Sequence, residues 1–237
     1  MSGTGQSHEV EPRWAAVDHY SLSHLHSTSQ TTPSNNVLEH ALANSKKEGL
    51  PDIAVSPSQG KYLKLQAQLL HAKQVLEVGT LGGYSTIWLA SASPDLRVTT
   101  VEVDAHHADV AKANLAYAGV AERVDIFLGA GVDVLPRLAE EVRQGKREKF
   151  QLVFIDADKV NNWNYVDVAV GMSEAGACII VDNVVRKGKL AEDVEDANVQ
   201  GARRVVENVG KDPRLDGVVV QTVGEKNYDG FLFTIVK

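Results

Sequence analysis

Five short apolar runs recur along the chain, at Gln74–Val78, Arg97–Val103, Arg123–Leu128, Phe150–Ile155 and Cys178–Val181, separated by stretches of helical patterning. Alternating strand and helix imply a parallel sheet covered on both faces. The chain ends differently. Asp216–Val223 and Gly230–Val236 read as strands joined by the short polar link Gly224–Asp229, and strands joined so closely pair antiparallel. The expectation is therefore an α/β domain whose mixed sheet has about seven strands, one of them reversed, with helices on both faces. A chain of 237 residues with 43% hydrophobic content suits one such domain, over 51–237, preceded by an N-terminal helical extension over 1–50.

Local signals set the helix starts. Ser56-Pro-Ser-Gln59 is a capping box with proline at the first helical position, and the helix after it is expected to bury Tyr62, Leu63, Leu69 and Leu70. Apolar positions at Trp14, Val17, Tyr20 and Leu25 predict a helix over Arg13–Leu25, and Ser34 caps another running to about Lys47, with Gly49 beyond its end. Residues 1–12 are polar and have no local reason to order, and Ser27–Asn36 reads as a connector. His24 and His26 form an H-x-H pair that fits a polar helix end better than a metal site. His106 and His107, adjacent on a helix, point different ways and are expected at the surface.

Charge and composition exclude several classes. A net charge of −7 argues against nucleic acid as the main partner. The single cysteine, Cys178, permits no internal disulfide and sits in an apolar run, which fits a buried thiol and a reducing compartment. No apolar run approaches a membrane span and no signal-peptide pattern opens the chain, so the expected setting is cytoplasmic.

In parallel sheets ligands bind beyond the carboxyl ends of the strands, and that is where the chemistry-bearing residues cluster. After the first strand comes a glycine-rich bend (Gly79, Gly82, Gly83) and a helix opening near Tyr84 or Ser85. Glycine lets backbone N–H groups approach a ligand, and a helix start offers unpaired N–H groups to an anionic group; a plain strand–helix turn is the alternative. Glu77, an acid inside the strand, needs donor partners. Beyond the second strand, Glu102 is a candidate for ribose hydroxyls and Asp104 for a helix cap. Beyond the third, Gly129-Ala130-Gly131 admits a flat ring or simply a turn. Asp156-Ala-Asp158-Lys159 follows the fourth strand and Asp182-Asn183 the fifth. If those strands are neighbours their ends lie about 4.8 Å apart, and Asp156, Asp182 and Asn183 make an oxygen-only set suited to Mg²⁺, with Mn²⁺ or Ca²⁺ as substitutes. Lys159, at the rim of the same place, is a candidate general base or a salt-bridge partner for Asp156 or Asp158.

The glycine run with its embedded Glu77, together with Phe-Ile-Asp-Ala-Asp-Lys (154–159) and Val-Asp-Asn-Val-Val-Arg (181–186), resembles the cation-dependent O-methyltransferases of the catechol and caffeoyl-CoA superfamily. Trp14–Asp18 and Asp229–Phe231 are similar to motifs of its smaller microbial and fungal branch. The resemblance implies a Rossmann-like class I methyltransferase fold, S-adenosylmethionine as methyl donor, a divalent cation, a small phenolic acceptor and a homodimer. Carried onto this sequence, it implies that Glu77, Gly79 and Ser85 hold the methionine portion of the cofactor, with Val55 closing over it. Glu102 would take the ribose, Ala130 and Gly131 the adenine, and Asp158 the amino group. Asp156, Asp182 and Asn183 would be metal ligands, Asp156 also lying against the cofactor, and Lys159 the catalytic lysine. Two departures stand out: plant caffeoyl-CoA enzymes carry Trp and Asn where this chain has Arg186 and Lys187, and a substrate-touching Glu of the catechol enzyme is replaced by Val223.

The expected reaction is transfer of a methyl group to one hydroxyl of a vicinal diphenol of catechol, caffeoyl or flavonoid type. The alternatives are a nicotinamide-dependent dehydrogenase, disfavoured by the glycine spacing, and a non-catalytic cofactor-binding relative.

Overall fold

The computed structural model describes residues 11–27 and 31–237; the expectation for the first residues therefore lies largely outside the described ones. Two helices, α1 (Pro12–Leu25) and α2 (Asn35–Lys47), precede α3 (Pro57–Leu69). Then come β1 (Gln74–Val78), α4 (Tyr84–Ala90), β2 (Arg97–Glu102), α5 (Ala105–Tyr117), β3 (Val124–Leu128), α6 (Gly131–Arg143), β4 (Phe150–Ile155), α7 (Asn162–Met172) and β5 (Ser173–Val181). Helix α8 (Ala197–Lys211) and the hairpin β6 (Leu215–Val223) and β7 (Tyr228–Val236) complete the chain.

The sheet has seven strands in the order β3-β2-β1-β4-β5-β7-β6. All neighbours are parallel except β7, which is inserted antiparallel between β5 and β6, so the expected single reversed strand is present. Strand order runs outward both ways from the β1–β4 pair, which makes their carboxyl ends the switch point where a ligand crevice forms.

Side-chain alternation on the strands builds two cores. Leu76, Val78, Val153, Ile155, Ile179 and Val181 face α6, α7 and α8, whereas Val75, Leu152, Phe154, Cys178 and Ile180 face α2, α3 and α4. Leu38 and Ala41 of α2 belong to the second core, together with the fully buried Leu63 and Trp88. Helix α2 is thus part of the body, while α1 buries no residue.

Three local expectations are corrected. Leu69 is 73% exposed, because α3 buries the stripe Gly60, Leu63 and Ala67 instead. A Cβ on Gly60 would lie 2.3 Å from the Trp88 ring, so this crossing fixes which face of α3 turns inward. Strand β5 begins at Ser173 rather than Cys178, its residues 174–176 being exposed and Gly176 standing at φ +85°. His26 is buried against Trp88, ring centroids 4.9 Å apart, while His24 stays exposed, so the H-x-H pair points two ways. No helix among the described residues is long and apolar enough to cross a membrane.

Candidate active site

Beneath the glycine bend, Glu77 shares the sheet face of Val75 and pairs in register with Thr100 of β2. Its carboxylate is fully buried and accepts hydrogen bonds from Ser85 Oγ (2.6 Å), Thr86 Oγ1 (2.5 Å) and Thr100 Oγ1 (2.6 Å). Burial pushes its carboxyl up to about 7, opposed by those three hydroxyls. Glu77 thus ties β1, β2 and the start of α4 together, directly beneath the turn expected to meet a cofactor. Gly79 (φ +101°) is required on two counts: the conformation, and a Cβ that would stand 2.1 Å from the Asp156 carbonyl oxygen. That contact brings the ends of β1 and β4 together at the switch point.

Glu102 ends β2 almost buried. One carboxylate oxygen accepts from the N–H groups of Thr80 (3.1 Å) and Leu81 (2.7 Å), the other from those of Val103 and Asp104 (3.0 Å each). The bend thus grips a carboxylate of the protein itself. A ribose would have to compete with those four donors for Glu102. Asp104 caps α5, accepting from the N–H groups of His106 and His107. His107 Nδ1 lies 3.6 Å from Glu102, and His106 reaches the Glu48 carbonyl. At the end of β3, Ala130 caps α6 and a Cβ on Gly131 would meet the Tyr165 ring at 2.7 Å. Gly131 is therefore needed for packing against a side chain that the sequence reasoning did not single out. The Tyr165 hydroxyl donates to Asp158 Oδ1 and Asn161 Nδ2 to Asp158 Oδ2; Asp158 is exposed.

Strands β4 and β5 are neighbours, with Ile155 opposite Val181. Asp156 and Asp182 follow at the two strand ends, their N–H groups bonded to the Val78 and Ile155 carbonyls. Together with Asn183 and Val55 they line one cavity of about 770 Å³. Asp182 is 4% exposed. Its carboxyl is pushed up to about 7 by burial and then by the neighbouring Asp156, while Lys159, the Asn183 N–H and the Gln59 side chain pull the other way. Asn183 adopts the left-handed region (φ +54°), which Asn tolerates. Among the described residues no group of three or more His, Cys, Asp or Glu side chains converges; this set is two carboxylates and an amide. A buried acid whose proton affinity a neighbouring carboxylate raises, beside an amide oxygen, fits a hard divalent cation.

Lys159 Nζ lies 2.6 Å from Asp156 Oδ1, with both side chains largely buried. Its backbone is clamped by α8, where a Cβ on Gly201 would come 2.1 Å from the Lys159 carbonyl oxygen. Cys178 is buried and its thiol pushed up to about 12 by burial, which leaves it inert near neutrality.

The cavity also depends on residues to which no role was given beforehand. Asp18 of α1 accepts from Ser58 Oγ (2.8 Å) at the start of α3 and from the Glu225 N–H (3.0 Å) in the β6–β7 link. Asp229 accepts from the N–H groups of Arg186 (2.9 Å) and Gly230 (3.0 Å). Tyr62 and Phe231, ring centroids 5.1 Å apart, supply an aromatic wall. Asp18 and Asp229 stand in the terminal motifs quoted above, which was the available signal; Gln59 and Tyr62 gave none.

An O-methyltransferase family model matches residues 26–231. The chain belongs to the O-methyltransferase family. It is 50% identical over 235 residues to the O-methyltransferase imqG of Aspergillus flavus, covering 98% of this chain and 94% of that protein. It is 48% identical over 201 residues to the catechol O-methyltransferase of Mycobacterium tuberculosis, covering 84% and 88%. The crystal structure of an O-methyltransferase from Bacillus cereus in complex with SAH superimposes with a TM-score of 0.87 at 42% identity, covering 95% of this chain and 99% of that one. The expected enzyme class, an S-adenosylmethionine-dependent O-methyltransferase, holds, and the dehydrogenase alternative falls.

Proposed function

We propose that this enzyme moves the methyl group of S-adenosylmethionine to one hydroxyl of a vicinal diphenol, of catechol, caffeoyl or flavonoid type, with a divalent cation as cofactor. The observation that carries the reading is the convergence of Asp156, Asp182 and Asn183 on one cavity wall beside the Lys159–Asp156 pair. The mycobacterial relative, a catechol O-methyltransferase, and the Bacillus O-methyltransferase in complex with SAH support it.

Asp156, Asp182 and Asn183 would hold the cation, and the residues of the glycine bend, Val55 and Asp158 would border the methyl donor, with Ala130 and Gly131 toward its adenine. Bound there, a divalent cation would lower the pKa of a phenol hydroxyl and the sulfonium would supply the methyl group. Tyr62 and Phe231 flank an aromatic ring, restricting its orientation so that the attacking oxygen is aligned for in-line displacement. Lys159 Nζ receives the hydroxyl proton as the O–CH₃ bond forms and the S–CH₃ bond breaks. To do so Lys159 Nζ must turn from Asp156 Oδ1, to which it donates in this structure. Excess EDTA in an assay with catechol and S-adenosylmethionine tests the cation's part: turnover stops if the reading is right and continues undiminished if it is wrong.

Homodimerisation belongs to the same proposal. Helix α1 turns Val17, Tyr20 and Leu25 outward, each at least 67% exposed, an apolar face that a second copy would cover. Light scattering at micromolar concentration gives twice the chain mass on this view, and a single chain mass contradicts it.

A further inference from the structure

The cavity wall carries a group of cations that the chemistry above does not use. The loop leaving β5 contributes Arg186, Lys187 and Lys189 to it. The carboxylates on the same wall outside the cation corner are already engaged. Asp52 pairs with Lys226 at 2.8 Å, Asp18 is held by Ser58 and the Glu225 N–H, and Asp196 caps α8. Asp229 takes the backbone N–H groups of Arg186 and Gly230. The Arg186 charge reaches Asp196, as does that of Lys189, and it also reaches Asp229, in each case as a smaller influence than the strongest of the backbone hydrogen bonds that carboxyl accepts. Arg186 Nε is buried with no partner among the described residues. A buried guanidinium nitrogen without an acceptor is costly and calls for one.

The backbone holds this arrangement against its preference. Arg186 and Lys187 both take left-handed φ values, +54° and +57°, a pairing that persists only where surroundings impose it. The Asp229 carboxylate on the Arg186 N–H is the imposing contact. Arg186 follows Asn183 by three residues, so the two lie within about 10 Å along the chain, on the scale of a substituted aromatic ring. A planar guanidinium fork matches a carboxylate with two parallel hydrogen bonds.

We infer that Arg186, backed by Lys187 and Lys189, recognises a carboxylate on the methyl acceptor. The preferred substrate is then an ortho-diphenol bearing an anionic carboxylate away from its hydroxyls, rather than a neutral diphenol. This rests on the diphenol reading of the site. Because the whole chain carries a net charge of −7, general attraction works against an anionic acceptor, and a preference for one must come from this loop.

The test compares 3,4-dihydroxybenzoate with its methyl ester on the wild-type enzyme, Arg186→Gln and Arg186→Lys. The main-chain N–H that holds Asp229 survives both substitutions. In the wild type kcat/KM favours the acid by about 10- to 100-fold, chiefly through KM. Arg186→Gln brings the acid-to-ester ratio toward one and Arg186→Lys restores part of it. A wild-type ratio at or below one, or a ratio unmoved in Arg186→Gln, overturns the inference. If neither compound is methylated, the diphenol reading itself has failed. Calorimetric titration of the same pair into enzyme with SAH and Mg²⁺ then decides. Tighter binding of the acid, lost in Arg186→Gln, upholds carboxylate recognition; equal or absent binding overturns it.

Discussion

Two buried acids on the same sheet, Glu77 in β1 and Asp182 just past β5, meet opposite surroundings. Burial raises both to about 7. The neighbours of Glu77 are three hydroxyls that partner it in either protonation state. The strongest neighbour of Asp182 besides burial is another acid, Asp156. Glu77 is complete within the protein and braces the glycine bend; Asp182 is completed only by something positive. The contrast separates an acid that shapes a site from one that holds a ligand.

Lys159→Met presses hardest on the ligand-holding side. It should cut the methylation rate by about 10²- to 10⁴-fold while leaving SAH affinity, read by calorimetry, near the wild-type value. A wild-type rate at every pH would make Lys159 structural. On the bracing side, Glu77→Ala strands the buried Ser85 and Thr86 hydroxyls, leaves Thr100 Oγ1 with Thr80 alone and opens a void, and should cost about 3 kcal/mol in urea denaturation, with Mg²⁺ giving no rescue. A change under about 0.5 kcal/mol would remove Glu77 from its bracing role.

The pH dependence sharpens the pair. Both acids bind protons more tightly folded than unfolded. Without divalent ion, stability should therefore be greatest below about pH 4 for these groups and decline as pH rises to about 7, by about 2 kcal/mol or more. Added Mg²⁺ should recover the Asp182 share near pH 7 and not the Glu77 share. Equal denaturation midpoints with and without Mg²⁺ would erase the distinction between the two acids. The smallest expected effect is at α1. Asp18→Ala removes the Ser58 and Glu225 contacts and should cost about 1 kcal/mol, raising KM for the acceptor several-fold with kcat retained; unchanged KM would detach α1 from acceptor binding.

Strand β4 and the terminal hairpin could be read from the sequence because their apolar runs are bounded by polar turns, and the acids at the β4 and β5 ends followed from parallel alternation. Leu69 could not, since which face of α3 turns inward depends on the close approach of Gly60 to Trp88. Glu102 is similar: its four backbone partners belong to a bend whose path is set by left-handed Leu81 and Gly83, not by residue type. Arg123, expected in a strand, instead closes a 3-10 turn, and its guanidinium donates to the Ala90, Ser93 and Leu96 carbonyls. Asp18 and Asp229 were visible as motif members, but each acts across a long chain separation, bridging elements that no local pattern connects.

A divalent ion gripped by Asp156, Asp182 and Asn183 is the centre of the proposed chemistry. Titration of Mn²⁺ into the enzyme, read by the loss of its free-ion electron paramagnetic resonance signal, tests this directly. One ion bound per chain in the wild type, and loss of that binding in Asp182→Asn, is the predicted result. Identical Mn²⁺ binding in the two proteins, or none in the wild type, would contradict it.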